Sequence, residues 1–155
     1  MKFSPLPLIG SYLIELDPHV DERGYFARTF CQHEFAQHGL VTNLVQMSTS
    51  FNIHEGQIRG MHYQESPYAE TKVVRCTRGA IYDAMVDLRE DSATFNQWYA
   101  IELSAENGKM LYIPKGFAHG YKTLTNNAEI FYMMDQIYVK EAAREISHEN
   151  WGIFK

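Results

Sequence analysis

Between residues 43 and 138 the chain runs as short β-prone segments, each closed by a turn signal. That rhythm restricts the fold more than any single motif does. Residues 43–51 alternate in polarity, and residues 58–63, 72–77, 80–88, 96–103, 110–113, 120–124 and 128–138 carry Val, Ile, Tyr, Phe and Met at strand-like spacing. Asn52 to Gly56, Glu65-Ser66-Pro67, Arg78-Gly79 and Ser104 to Gly108 stand between them as turns. Many short strands with Gly, Pro and Asn between them predict an all-β sandwich or barrel. Upstream, residues 6–16 read as a strand or a pair of short strands ended by Asp17-Pro18, followed by a turn at Asp21-Glu22-Arg23-Gly24 and a β-prone stretch at residues 25–30. Residues 33–38 read as a short helix with Phe35 and Ala36 inward and Gly39 as its stop. Residues 141–155 are polar and read as irregular or as a short helix.

A length of 155 residues suits one domain over residues 1–155 with one buried core. Ten Tyr and nine Phe agree with strands. The formal charge of −5 argues against a broad nucleic-acid surface, which needs excess Lys and Arg along its footprint. One small phosphorylated ligand needs only two or three well-placed cations and stays open. Cys31 and Cys76 form no metal pair by spacing and no disulfide framework, so they read as reduced thiols. The opening residues are broken by Pro5 and Pro7, with no apolar run of signal-peptide or membrane-span length, so no membrane is expected and the cytoplasm is the expected compartment.

Two segments are too polar for buried strands. Arg59-Gly60-Met61-His62-Tyr63-Gln64 sets a guanidinium, an imidazole and a phenol within a few residues. As a regular strand it would place Arg59, Met61 and Tyr63 on one face and His62 and Gln64 on the other. The second segment, Gly108 to His119, has the form Gly-x5-Pro-x-Gly-x2-His. It resembles the second motif of the cupin superfamily, a small double-stranded β-barrel. The first cupin motif is His-x-His, and here it reads His62-Tyr63-Gln64, one ligand short of the three that a tight transition-metal site needs. His54, His62 and His119 could still cluster, but no metal is expected. A neutral imidazole can take a proton, Lys72 or Arg59 can stabilise an enolate oxygen, and Tyr132 or Tyr138 can return a proton. Those parts suit proton abstraction next to a carbonyl.

Taken together, Asp21-Glu22-Arg23-Gly24-Tyr25-Phe26, Arg59 to Gln64, Lys72-Val73-Val74-Arg75-Cys76, Gly79 to Arg89, Ser104-Ala105-Glu106-Asn107 and Tyr112 to Gly120 resemble, in order, the dTDP-4-dehydrorhamnose 3,5-epimerase family. The resemblance implies a cupin-type double-stranded β-helix (jelly-roll) barrel with short peripheral helices. It implies inversion at C3, C5 or both of a nucleotide-linked 4-keto-6-deoxyhexose in deoxysugar biosynthesis, with no cofactor. By position, His62 would be the base, Tyr132 the acid and Lys72 the cation on the enolate. Arg59 and His119 would lie in the sugar or phosphate part of the pocket, Tyr138 on its wall, and Gln46 against the pyrimidine. Arg23 and Phe26 would contact the nucleotide across a homodimer that exchanges N-terminal strands. The family orients its base with an Asp of a C-terminal Ser-x-Lys-Asp segment that these 155 residues do not contain, so His62 would need another carboxylate, such as Asp83, or would be a weaker base. Arg28 stands where the family commonly has Glu, and Ser48 where it commonly has Asn. Two neighbouring readings are a non-catalytic nucleotide-sugar-binding protein and a single-position epimerase or isomerase on the same scaffold.

Overall fold

The computed structural model describes residues 1–155. Its strands, in chain order, are β1 (Lys2–Pro5), β2 (Tyr12–Glu15), β3 (His19–Asp21), β4 (Gly24–Phe26), β5 (Gln46–Asn52), β6 (Ile58–Gln64), β7 (Lys72–Arg78), β8 (Ala80–Asp87), β9 (Trp98–Ser104), β10 (Met110–Ile113), β11 (Phe117–Thr123), β12 (Ala128–Met134) and β13 (Ala143–Glu145). One helix, α1 (Gln32–Gln37), and a 3-10 turn at His148–Trp151 lie outside them. A six-stranded antiparallel sheet runs β1-β2-β10-β7-β12-β5, and a five-stranded antiparallel sheet runs β13-β6-β11-β8-β9. β3 and β4 pair only with each other.

Period-two alternation tells each strand which side to bury. On β7, Val74 and Cys76 join the central core with Ile130 of β12, Ile81 and Met85 of β8 and Leu103 of β9, so this core lies between the two sheets. The alternate residues cover the outer faces. Val73, Met110 and Met133 pack under α1 through Phe35, which is fully buried. Met61, Ala84, Val86 and Ala118 pack under Ile153 and Phe154 of the C-terminal segment. Each sheet is therefore covered on both faces by apolar contact, at roughly 25 cal/mol per Å² removed from water.

Several boundaries differ from the sequence reading. Residues 6–10 form a turn rather than a strand, closed by Leu6 N–H to Ser11 O and Ser11 N–H to Leu8 O. Pro7 has no N–H to give a ladder there. Regular pairing in residues 25–30 stops at Phe26. The strand carrying His119 starts at Phe117, earlier than expected, while β12 ends at Met134, earlier than expected. There Asp135 accepts the Thr71 N–H at 2.7 Å and pairs with Lys115 at 3.1 Å, which turns the chain away. Tyr138 is consequently a loop residue, not a strand residue. The C-terminal segment adds a short strand that the polar sequence did not signal. No helix is long and apolar enough to cross a membrane.

Candidate active site

Toward one end of the sandwich the inward positions change from apolar to polar. Lys72 precedes Val74 and Cys76 on the inner side of β7, Tyr132 follows Ala128 and Ile130 on β12, and His119 follows Phe117 on β11. These side chains open onto a cleft of about 840 Å³. Gln46, Arg59, His62, Lys72, His119, Tyr132 and Tyr138 all line it, joined by Ser48, Ser50, Gln64, Glu70, Tyr121 and Glu145. Arg23 and Phe26 do not. They sit on the exposed β3–β4 ribbon, where the Arg23 guanidinium pairs with Asp21 and the Phe26 side chain lies open to solvent. His54 lies in the turn after β5 and also stands apart from the cleft. No group of three His, Cys, Asp or Glu side chains is placed to hold a metal ion.

The expected separation of Arg59 from His62 does not occur. Tyr121 of β11 pairs with Arg59, and His119 pairs with His62, so two residues of β11 span three of β6. This bulge inserts one residue and returns Arg59 and His62 to the same face. Gly60 makes it possible: its φ is +101°, and a Cβ there would stand 2.6 Å from the His119 carbonyl oxygen. Arg59 Nε then donates to Asn52 Oδ1 at 2.7 Å, and Asn52 Nδ2 donates to the Tyr121 hydroxyl at 3.0 Å.

Asp83 does not serve His62. Its two carboxylate oxygens lie 3.0 and 2.9 Å from His119 Nε2, and both residues are buried. The Nε2–H donates to the carboxylate, which fixes the tautomer of His119. Asp83 reaches His119 because the two residues point inward from adjacent strands; His62 is one strand further away. Burial pushes the Asp83 carboxyl up, against the pull of His119 and Lys72.

His62 is half-exposed, and its Nε2 lies 3.7 Å from Glu145 Oε2, an ion-pair separation rather than a hydrogen bond. Desolvation lowers its pKa, Lys72 and His119 lower it further, and Glu145 opposes them. The imidazole is held neutral near pH 7, the form that accepts a proton. Lys72 Nζ donates to the His62 carbonyl oxygen at 3.4 Å and pairs with Glu70 at 3.0 Å, both side chains being largely buried. Gln64 fixes Glu70 through an Nε2 donation at 3.1 Å, and its Oε1 accepts the Val139 N–H at 2.6 Å. One buried amide thus orients the Lys72 carboxylate partner and the loop that carries Tyr138. Gln46 also anchors that loop, accepting the Tyr138 N–H at 2.7 Å.

The Tyr132 ring stands edge-on to His119, with centroids 6.1 Å apart. Burial, reinforced by the neighbouring Tyr121 phenol, pushes the Tyr132 hydroxyl far above its usual range. It stays protonated at neutral pH. Cations outnumber carboxylates on the walls, with Arg59, Lys72, Lys140 and Arg144 against Glu70 and Glu145. The cleft therefore brings a neutral imidazole and a protonated phenol together beside the Lys72 ammonium. Sequence reasoning missed Glu70, Tyr121 and Glu145. Glu70 stood two residues before Lys72, a weak local signal, whereas Glu145 reaches His62 only through the non-local β13–β6 pairing.

Known proteins share this sequence pattern and fold. The sequence model of the dTDP-4-dehydrorhamnose 3,5-epimerase family matches residues 5–153. A dTDP-4-dehydrorhamnose 3,5-epimerase of Sinorhizobium fredii is 39% identical over 153 residues, covering 99% of this chain and 78% of the relative. The crystal structure of the Bacillus anthracis enzyme with TDP and pyrophosphate bound superposes with a TM-score of 0.92 at 36% identity, over 95% of this chain and 84% of that one. The Legionella pneumophila dTDP-6-deoxy-D-glucose-3,5-epimerase in complex with dTDP-4-keto-L-rhamnose gives 0.89 at 33% identity, over 95% and 78%. Sequence and fold agree, and the chain belongs to the dTDP-4-dehydrorhamnose 3,5-epimerase family.

Proposed function

We propose that this enzyme inverts C3, C5 or both of a dTDP-linked 4-keto-6-deoxyhexose, as its relatives do, with His62 as base, Tyr132 as acid and Lys72 on the enolate. The observation that carries this reading is one cleft in which a neutral imidazole, a protonated phenol and a fixed ammonium converge. The C3 and C5 hydrogens are acidified by the 4-keto group. His62 takes one of them, and the electron pair moves onto the keto oxygen. Lys72 and Arg59 stabilise that oxygen as it becomes anionic. Tyr132 then delivers its proton to the opposite face of the carbon, and solvent resets both side chains. Only protons move, so no redox partner enters the balance.

Arg59, Lys140 and Arg144 supply positive field for the diphosphate, and Gln46 and Tyr138 border the end of the cleft assigned to the base. The reading includes a homodimer with exchanged N-terminal strands, in which Arg23 and Phe26 reach the partner's nucleotide. Its support is the β3–β4 ribbon, which pairs with neither main sheet and leaves Val20, Tyr25 and Phe26 largely exposed. The proposed compartment is the cytoplasm, in keeping with two free thiols.

The test is solvent-deuterium exchange into dTDP-4-keto-6-deoxyglucose. His62→Ala should lower exchange by roughly 10²–10⁴-fold, the range for a lost general base. Tyr132→Phe should keep the His62-side exchange while blocking inversion. Unchanged exchange in His62→Ala would sink the base assignment. One observation favours a second assignment, His119 as base, because it is the imidazole held by a carboxylate. Full exchange in His62→Ala together with none in His119→Ala would select it.

A further inference from the structure

We infer that Glu145 is a positioning residue for His62, pairing with the imidazolium that forms when the base has taken its proton. The inference rests on His62 as the base.

The β13–β6 register sets Glu145 directly opposite His62, so the pairing is built into the sheet and does not depend on a chance rotamer of a loop residue. Directly opposite residues on paired strands keep their Cβ atoms within side-chain reach. Glu145 has no competing cation. Its neighbour Arg144 is engaged with Glu65 at 2.6 Å, and His62 is the one basic group within 4.0 Å of the Glu145 carboxylate. The other charged and titratable groups facing His62 oppose its protonation or are already paired. Lys72 approaches from β7 and is held by Glu70. His119 approaches from β11 and is held by Asp83, behind it on β8. Tyr132 faces the same space from β12 as a neutral phenol. Among these groups, Glu145 alone raises the affinity of His62 for a proton.

The 3.7 Å separation fits such a role. While the imidazole is neutral, the carboxylate has little to bind. When the ring becomes cationic, attraction draws the two together, and the contact strengthens as charge develops. Half-exposure keeps the effect modest and sensitive to salt.

The experiment uses Glu145→Gln, an exposed and near-isosteric change that leaves folding intact, with Glu141→Gln as a charge-matched control. The His62 ring is titrated by NMR, and solvent-deuterium exchange into dTDP-4-keto-6-deoxyglucose is followed against pH. In Glu145→Gln the His62 midpoint and the acid limb of kcat/KM should both move to lower pH. The plateau kcat should fall roughly three-fold. High salt should shrink the difference, and the control should match the parent enzyme. An unmoved His62 midpoint overturns the pairing, and a moved midpoint with unchanged kcat overturns the positioning role. Failure of the base assignment appears separately, as exchange that survives His62→Ala.

Discussion

Two imidazoles stand side by side on β6 and β11, and they are held in opposite ways. His119 is buried, with both oxygens of a buried carboxylate on one ring nitrogen. His62 is half-exposed, with a solvated carboxylate at 3.7 Å. The first is locked in one tautomer and one orientation. The second changes its charge at little structural cost. A base that must cycle between neutral and cationic forms gains from the looser setting, whereas a group that shapes the pocket gains from the tighter one. The comparison sets a loosely held imidazole against a locked one within one strand pair, and each substitution presses on one side of it.

His62→Ala gives the largest effect, the loss of exchange described above, with little change in thermal stability because the ring is half in water. Next comes Gly60→Ala, which attacks the bulge that brings the two rings opposite each other. The added Cβ meets the His119 carbonyl at 2.6 Å and the Gly120 Cα at 2.8 Å, at a φ that L-residues rarely adopt. Strain and overlap together cost about 2–4 kcal/mol. Calorimetry should show a melting temperature lower by about 10 °C. Activity should fall as well, since Arg59 and His62 lose their shared face. An unchanged melting temperature would mean that β6 can shed its bulge freely.

Asp83→Ala tests the locked side. It leaves the His119 Nε2–H buried without an acceptor, at a cost of about 1–3 kcal/mol. The melting temperature should drop by several degrees, while Glu145→Gln leaves it where it was. Equal stability for the two variants would erase the distinction between the two carboxylates.

How much of this was legible beforehand follows the range of the interactions. The strand rhythm and the polar insertions at Arg59–Gln64 and around His119 are local patterns, and they pointed to an all-β sandwich or barrel and to the residues that line its cleft. The helix expected over residues 33–38 was legible for the same reason, since Phe35 and Gly39 mark its face and its end, although Ala36, expected inward, is exposed. Alternation failed at Arg59 and His62 because a bulge is fixed by the partner strand, and Gly60 was its only trace in the sequence. Asp83 was identified as a carboxylate near the imidazoles but given to the wrong one, because strand order, which no local pattern encodes, decides that His119 is its neighbour. Glu145 gave no signal at all: β13 is three residues long and becomes a strand only by pairing with β6.

The smallest predicted effect concerns the pH at which His62, the proposed base, becomes protonated. Its pKa is lowered, first by burial and then by Lys72 and His119, with Glu145 opposing. A lowered pKa keeps more of the ring neutral at the ordinary imidazole value of 6.5, so activity should hold to lower pH than it would with a free imidazole. The acid limb of kcat/KM should therefore lie below the position expected for a free imidazole. Salt sharpens the test. Screening weakens the Lys72 and Glu145 contributions, which have opposite signs, and leaves desolvation untouched. The limb should consequently stay below the free-imidazole position in high salt. Movement all the way to that position would show that charges, not burial, set the base, and the looser of the two imidazoles would then be governed by the same electrostatics that lock the tighter one.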